Sequence, residues 1–374
     1  MLGAVHRRYQ KASREVKSRI LDEFCATTGY HRKYAIHLLN GALEEVSRLR
    51  PRRRGHTYGA QVVGVLAKIW EAAGYPWSVR LKAMIPLWLP WARKHIKELT
   101  PAIEQQLLAI SPRQMDRRLR QRKQVLGRRI YGRTKPGTLL KHHIPLKTDA
   151  WDVDRAGFAE IDLVSHSGNN ASGQFIYSLN LTDIHTTWVE TVAVMGKGQT
   201  GVLDAITGIE HALPFALRGL DSDNGSEFLN HHLHTYCQQQ GVQFTRSRPY
   251  KKDDNAHIEQ KNWTHVRKLL GWERYDSHKA LKAINDLYRN ELRLMMNLFQ
   301  PSVKLVRKTR VGSRLTRRYD QPQTPLDRLR TSNRGKSKKV AAVLKVREQT
   351  DPFELSRTIE RKLNRIYNLA TYSR

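Results

Sequence analysis

Three acidic residues have the types and the spacing for metal-dependent phosphoryl transfer. Asp162 lies within the run AEIDLV, where an acid among apolar neighbours is costly unless a positive charge pairs with it. Asp223 closes a predicted strand at an Asn-Gly turn, and Glu259 lies on a helix predicted to begin near Asp253. Between Asp162 and Asp223 lie 60 residues, and between Asp223 and Glu259 lie 35. These contexts allow the three acids to converge in space.

Carboxylates supply both the oxygen ligands and the negative charge that hard divalent cations need. Two Mg²⁺ or Mn²⁺ ions roughly 3.5 to 4 Å apart can clamp the attacking and leaving oxygens of an in-line phosphoryl transfer. We therefore predict that Asp162, Asp223 and Glu259 are both the catalytic residues and the metal ligands. The alternative for any single acid is a salt bridge to one of the chain's many cations. The order, contexts and spacing of the set favour metal binding.

The stretches EIDLV, LDSDNGSEF and DDNAHIEQKNW resemble the DDE transposases and retroviral integrases, in particular bacterial insertion-sequence transposases with an integrase-type catalytic domain. The resemblance covers about residues 150–300 and weakens toward both ends. It implies a ribonuclease H-like α/β core, a D,D-35-E triad of Asp162, Asp223 and Glu259, and two metal ions per active site. It excludes Asp221 and Glu227 as ligands, because the second acid of the family directly precedes Asn-Gly.

One position on the predicted Glu259 helix departs from that pattern. Members of the family commonly carry Lys or Arg seven positions after the glutamate, where it can grip the DNA end, and this chain has Val266 there. Nearby cations make Lys261, Arg267 and Lys268 candidate DNA contacts. Two alternatives stay open: Trp263 supplies the grip, or Arg267 is merely exposed to solvent.

Composition points to a nucleic-acid partner. The 374 residues include 66 Lys and Arg against 34 Asp and Glu, and the net charge of +32 favours association with a polyanion. The longest apolar stretch, 84–92, is short and broken by two prolines, so no membrane association is expected. Two cysteines and no secretory signal favour a reducing, cytoplasmic, bacterial location, and they exclude a zinc-binding His/Cys headpiece.

The first 50 residues have the outline of a helix-turn-helix DNA-binding domain. Two helices are predicted within 13–40, separated by a break at Thr27-Thr28-Gly29. Arg32 and Lys33 lie on the polar side of the second helix, which would suit the DNA major groove. Two short helices also pack together in any small α-domain, and the net charge favours the DNA interpretation.

A second helical DNA-binding domain is predicted over 57–125, after a basic arm at 50–56. Ser111-Pro112 is a cap and first-turn pair that starts a helix carrying Arg113 and Arg117, two candidate DNA contacts. The tryptophans of this region can stack on bases, but their apolar neighbours favour a place in the core. They are Trp70, Trp77, Trp88 and Trp91.

A basic linker is predicted over 126–149, and the residue pattern then changes from helical to strand-forming. Three strands, then helix, strand, helix, strand and helix, predict a mixed sheet with helices on its faces over 150–300. The basic C-terminal region, 301–374, carries seven Lys or Arg within 304–318, which indicates either a small phosphate-binding β-unit or a disordered tail. The segment 331–339 is expected to be flexible, and Asp351-Pro352 to start a final amphipathic helix.

These features together predict a DNA transposase that cleaves the ends of its element and joins them to target DNA. The resemblance implies that the partners are double-stranded DNA, both terminal inverted repeats and target, and further copies of the chain assembled on that DNA. Two alternatives remain: a catalytically inactive, integrase-like DNA-binding regulator, and a ribonuclease H-like nuclease that joins nothing.

Overall fold

A computed structural model of the chain describes residues 2–41, 58–130, 155–222, 227–228, 231–246, 256–311, 314–332 and 338–371; for several of these, including Glu259, it describes the backbone alone. The basic arm at 50–56, most of the predicted linker and Asp223 lie outside those ranges. The chain divides into two compact units, residues 1–57 and 58–374.

The first unit contains three short helices around a small core of its own. The helices are α1 (Leu2–Gln10), α2 (Arg14–Thr28) and α3 (Arg32–Asn40). Gly29 ends α2 with a φ of 70°, a left-handed conformation that glycine adopts without steric cost. The buried side chains of this unit include Ile20, Phe24 and Leu39. The two helices predicted within 13–40 are confirmed, and α1 is an additional helix.

The second unit begins with a layer of four helices. They are α4 (Ala60–Ala72), α5 (Ser78–His95), α6 (Pro101–Ala109) and α7 (Pro112–Ile130). Trp70 and Trp88 are buried in this layer as expected, but Trp77 is 74% exposed, which corrects its expected place in the core. The cause is local, because Trp77 is the N-cap residue of α5 and precedes the buried face of that helix.

A five-stranded mixed sheet follows, with the strand order β3-β2-β1-β4-β5. Strands β1, β2 and β3 form an antiparallel meander, whereas β4 and β5 run parallel to β1. The strands are β1 (Phe158–Ser165), β2 (Ile176–Asp183), β3 (Val189–Met195), β4 (Gly219–Ser222) and β5 (Gln243–Arg246). Helices α8 (Gln199–Ala212) and α9 (His231–Gln240) connect the later strands. The predicted mixed sheet with interspersed helices is confirmed.

Strand β3 is an edge strand, and two asparagines cover part of its free edge. The Asn285 side chain donates to the Ala193 carbonyl at 2.8 Å and accepts from its N–H at 2.9 Å. Asn297 does the same for Val189, at 2.8 and 2.9 Å. Each carboxamide therefore replaces the backbone of a missing neighbouring strand, which satisfies buried polar groups and prevents edge-to-edge association.

The asparagines belong to a long helical segment that starts with α12 (His278–Leu287) and continues through two π-helical turns, Tyr288–Leu292 and Met295–Phe299. Between them Arg293 pairs with the buried Glu190 at 2.8 Å through Nε. Burial raises the pKa of Glu190, and the guanidinium opposes that change. A carboxylate in this position would be costly without the cation, so the pair fixes the helix against the sheet.

The C-terminal region is folded in each part that the structure describes. Strands β6 (Leu305–Val311) and β7 (Arg314–Tyr319) form a two-stranded hairpin, followed by α13 (Pro325–Ser332), α14 (Lys338–Gln349) and α15 (Pro352–Tyr367). Asp351 caps α15 by accepting a hydrogen bond from the Phe353 N–H at 2.9 Å, as its sequence predicts. The segment expected to be flexible is helical on both sides of 333–337, which lie outside the described ranges.

Buried apolar side chains form one continuous cluster from α4 to α15. Trp88 of α5 shows how distant segments meet, since its indole N–H donates to the Phe299 carbonyl and its ring packs edge-on against Phe353 at 5.1 Å. Within the described ranges, no helix combines the length and the apolar character needed to cross a membrane.

Candidate active site

Asp162 of β1 is held by a hydrogen bond from a residue 100 positions later in the chain. The Asn262 Nδ2 donates to the Asp162 Oδ2 at 2.6 Å, and the Leu163 N–H donates to the Oδ1 at 2.8 Å. The carboxylate is half-buried. These two bonds restrict its rotation.

Asn262 is itself oriented by two further polar residues of the sheet. The Asn180 Nδ2 donates to the Asn262 Oδ1 at 2.9 Å, and the Thr191 hydroxyl donates to the Asn180 Oδ1 at 2.8 Å. Asp162, Asn180 and Thr191 are successive cross-strand partners in β1, β2 and β3 and share one face of the sheet. The ionised Asp162 carboxylate can only accept, so the Asn262 amide nitrogen faces it, and Asn180 and Thr191 in turn donate to the two amide oxygens behind it.

The helical segment that carries Asn262 has a second contact with β1. The helical segment 256–270, here called the site helix, consists of α10 (Ala256–Lys261), a π-helical turn (Asn262–Arg267) and the short α11 (Lys268–Leu270). The Ile258 N–H donates to the buried Glu160 carboxylate at 2.9 Å. A carboxylate at a helix N-terminus satisfies an N–H that has no partner within the helix and complements the helix dipole. The start of the site helix is thereby fixed on β1.

Of the other two predicted ligands, the structure describes the backbone of Glu259 and does not describe Asp223. Glu259 follows Ile258 in the site helix and lies one helical turn before Asn262, but its side chain is outside the description. Asp223 directly follows Ser222, the last residue of β4, and is also outside it. Among the residues that the structure describes, no three His, Cys, Asp or Glu side chains form a metal-binding group. His231, His232 and His234 of α9 are close in sequence, but their side chains are exposed to solvent.

The predicted DNA contacts on the site helix have different surroundings. Lys261 is 9% exposed, and burial, together with the charges of Arg80 and Arg328, lowers the pKa of Lys261 to about 7. Arg267 stacks on the Trp272 ring at 4.1 Å. The Lys268 ammonium donates to the Gly74 carbonyl at 3.0 Å. The structure thus places Lys261 in the interior rather than on an open surface.

Val266, which stands where family members commonly carry Lys or Arg, is fully buried, and this burial accounts for the apolar residue. A cation with the same backbone placement would be desolvated in the core, so the chain has an apolar side chain there instead. The cationic groups of this helix lie on either side of it in sequence, at Lys261, Arg267 and Lys268.

The remaining predicted contacts lie on exposed helix faces in both units. Arg113 and Arg117 of α7 are exposed. In the first unit, Lys33 is exposed, and Arg32 forms an ion pair with Asp22 and donates to the Ser18 hydroxyl at 2.9 Å.

A known relative aligns with nearly the whole chain. The uncharacterized protein y4rM of Sinorhizobium fredii (strain NBRC 101917 / NGR234) is 38% identical over 330 residues, which cover 88% of this chain and 93% of y4rM. The chain belongs to the y4rM family. No family model matches the chain.

Solved structures similar to this y4rM-family chain include two retroviral integrase cores. The catalytic core domain of BIV integrase is 14% identical, with a TM-score of 0.33 and coverage of 48% of this chain and 97% of that one. The HTLV-2 integrase catalytic core domain, in a dimeric form in complex with magnesium, is 13% identical, with a TM-score of 0.30 and coverage of 40% and 91%.

The sequence interpretation of this y4rM-family protein missed the residues that orient Asp162. Asn262 stands three residues after Glu259, in a motif in which the acid alone points to metal chemistry. Asn180 is an isolated amide in the apolar run SLNLT, and such a residue needs a hydrogen-bonding partner when buried. That requirement was the available signal, although it does not identify the partner. Glu160 was missed as well, because a buried carboxylate also needs a partner that the sequence does not identify.

Proposed function

We propose that the chain is a metal-dependent DNA transposase whose triad is Asp162, Asp223 and Glu259. The observation that carries this assignment is the 2.6 Å hydrogen bond between Asn262 and Asp162. It holds the helix of the third acid against the strand of the first acid, one helical turn from Glu259. A helix that merely covered the sheet would not need a polar row ending on this carboxylate.

The sheet register supports the inclusion of the second acid. Ile161 and Ser222 are partners in the parallel β1–β4 pair, and Asp162 and Asp223 directly follow them in the sequence. Continuing the register by one residue would set the two acids side by side at the carboxyl edge of β4, where ligands bind in open α/β sheets. A mixed sheet with interspersed helices is also the α/β arrangement of the ribonuclease H-like core that the resemblance implies.

The donor set fits two Mg²⁺ or Mn²⁺ ions. Asp162 is half-buried and restricted in orientation by two N–H donors, and its carboxylate oxygens are the hard ligands that such ions prefer. Asp162, Asp223 and Glu259 would hold the ions, which supply Lewis-acid activation of water, of a DNA 3′-OH and of the scissile phosphate.

The chain's own residues position these groups before the substrate arrives. Asn262, Asn180 and Thr191 hold the first carboxylate in one orientation, which lowers the reorganisation needed at the moment of reaction. Glu160 fixes the start of the site helix and therefore the backbone that carries Glu259. First cleavage and then strand transfer would use the same site, with water as the first nucleophile and the liberated 3′-OH as the second.

DNA would be bound by surfaces outside the triad. We propose that 1–50, with Arg32 and Lys33, and 57–125, with Arg113 and Arg117, bind the element's terminal repeats. A net charge of +32 supports a polyanionic substrate. Joining two ends requires more than one active site, so the active form would be an oligomer assembled on DNA.

The test is an end-joining reaction with purified chain, Mg²⁺ or Mn²⁺, and duplexes that carry the sequences flanking the gene. We expect cleavage at the end and joined products with a second duplex. Cleaved strands without joined products would instead identify a nuclease. Binding without either product, in the presence of both metals, would identify a DNA-binding regulator.

A further inference from the structure

A cavity of about 420 Å³ lies behind the site helix, between the α4–α5 region and the helical segment 288–299. Its lining includes three basic side chains, Arg80, Lys261 and Lys268, together with His265, whose pKa is lowered well below its usual value by burial. None of the described residues that line it is Asp or Glu. The volume falls in the range typical of small-ligand sites in proteins.

The basic side chains that line this cavity have no acidic partner among the described residues. Two of them donate hydrogen bonds to neutral oxygens. Arg80 donates through Nε to the Pro301 carbonyl at 2.5 Å and through Nη2 to the Gln300 side-chain oxygen at 3.2 Å. Lys268 donates to the Gly74 carbonyl. Lys261 is 9% exposed and lines the cavity, and its ammonium group has no hydrogen bond or ion pair with any residue of the described ranges. Lys268 is exposed and Arg80 is half-buried, but a buried ammonium group such as that of Lys261 is ordinarily paired. The Lys261 side chain therefore lacks an anion.

Aromatic side chains also line this cavity. Trp77 is 74% exposed and Trp263 is 53% exposed, although both are large apolar rings next to the cationic group. Tyr75, two residues before Trp77 in the sequence, has a φ of 62°. This left-handed conformation is rare for an aromatic residue and persists only where surrounding contacts hold it. Trp70 fixes this wall by packing edge-on against Tyr75, with ring centroids 5.0 Å apart, and by donating to the Pro76 carbonyl at 3.0 Å.

We propose that this cavity binds a nucleotide unit, with its phosphate on Lys261, Arg80 and Lys268 and its base on the exposed face of Trp77. A phosphate supplies the acceptor oxygens and negative charge that the cations lack. A base supplies a flat apolar surface for the tryptophan. The ligand is either a free nucleotide or a nucleotide within a nucleic-acid strand.

The site is separate from the proposed catalytic triad. Asn262 contacts Asp162, whereas Lys261, the residue before it, lines the cavity on another side of the helix. The inference therefore holds whether or not the three acids bind metal, and it is tested without divalent cations and without a measurement of DNA joining.

Thermal unfolding of the full chain provides the test, with thymidine 5′-monophosphate, inorganic phosphate and 5′-phosphorylated or unphosphorylated single strands as probes at constant ionic strength. We expect thymidine monophosphate or the phosphorylated strand to raise Tm, and Lys261→Met to weaken the affinity about tenfold or more. Without ligand, Lys261→Met should unfold at the same temperature or higher, because it removes a buried unpaired charge. The exposed Lys345→Met is the matched control and should respond as wild type does.

Trp77→Ala separates the two halves of the site, because the exposed indole has little role in folding. It should weaken nucleotide binding and leave the response to inorganic phosphate unchanged. A free nucleotide and a strand are distinguished by which probe gives the larger shift. The assignment is overturned if no phosphorylated probe raises Tm of the wild type, or if Lys261→Met, with its fold intact by circular dichroism, retains the full response.

Discussion

The Asn262 carboxamide donates a hydrogen bond of 2.6 Å to the Asp162 carboxylate, and this bond joins the site helix to the central strand of the sheet. Two sheet residues, Asn180 and Thr191, orient that carboxamide from behind. The candidate site thus rests on a polar row that crosses three strands before it reaches the first acid.

Replacing Asn262 with alanine should impair the chemistry more than the fold. Loss of a residue that orients a metal-binding carboxylate typically costs about 10- to 100-fold in activity or metal affinity. We expect a loss of end joining in that range and a higher Mg²⁺ requirement. The measurement is a Mg²⁺ titration of joined product. Asn290→Ala is a matched control, because Asn290 is exposed and its carboxamide bonds to Asp286, one helical turn earlier. Unchanged metal dependence in Asn262→Ala would remove the positioning role.

Replacing Asn297 with leucine should destabilise the second unit. The change leaves the Val189 N–H and carbonyl without their partners in a buried setting, which costs about 2 to 4 kcal/mol for the two groups. Urea unfolding followed by tryptophan fluorescence measures this loss cleanly, since all eight tryptophans lie within 58–374. The exposed Asn290→Leu should change stability by less than about 0.5 kcal/mol. Equal stability of the two variants would show that the edge of β3 needs no such cover.

The sequence predicted local structure well and long-range polar contacts poorly. Strand-forming runs such as 158–164 and caps such as Asp351 act within a few residues, and the structure has the predicted elements there. The bond from Asn262 to Asp162 spans 100 positions and depends on how the helix packs on the sheet, which local propensity does not specify. The same applies to Lys261, whose charge predicts exposure although tertiary packing buries it.

His166 should make the second unit sensitive to acid. Burial, with a smaller effect from Arg267, lowers the pKa of His166 to about 3. The unfolded chain therefore binds a proton that the folded chain excludes as pH falls below about 6.5, and stability is lost from there toward pH 3. The loss from this group is about 1.4 kcal/mol per pH unit, or about 2 kcal/mol at pH 5.

His166→Gln retains a hydrogen-bonding group beside the Ser178 hydroxyl and removes the titrating ring. Urea unfolding at pH 7.5 and pH 5 should show a smaller acid loss in this variant than in wild type, by about 2 kcal/mol. His278→Gln, at an exposed position, controls for the substitution itself. The explanation fails if His166→Gln and wild type lose stability equally between the two pH values.

Arg113 and Arg117 should contribute salt-dependent DNA affinity. Each phosphate contact removed lowers the slope of log K against log salt by about 0.9, so Arg113→Gln with Arg117→Gln should lower it by up to about 1.8. Fluorescence anisotropy with an end duplex between about 50 and 200 mM salt measures the slope. Arg361→Gln, exposed on α15, serves as the control. A slope identical to that of wild type would place the DNA elsewhere.

The central claim concerns the acid at the end of the polar row, and Asp162→Asn tests it most directly. The measurement is formation of joined DNA by the full chain with Mg²⁺ or Mn²⁺, beside the exposed Asp204→Asn as a matched control and with folding checked by circular dichroism. We predict that Asp162→Asn loses joined and cleaved products at least about 10³-fold, since it removes a charged ligand, whereas Asp204→Asn behaves as wild type. Wild-type levels of joined product from a folded Asp162→Asn would contradict the account.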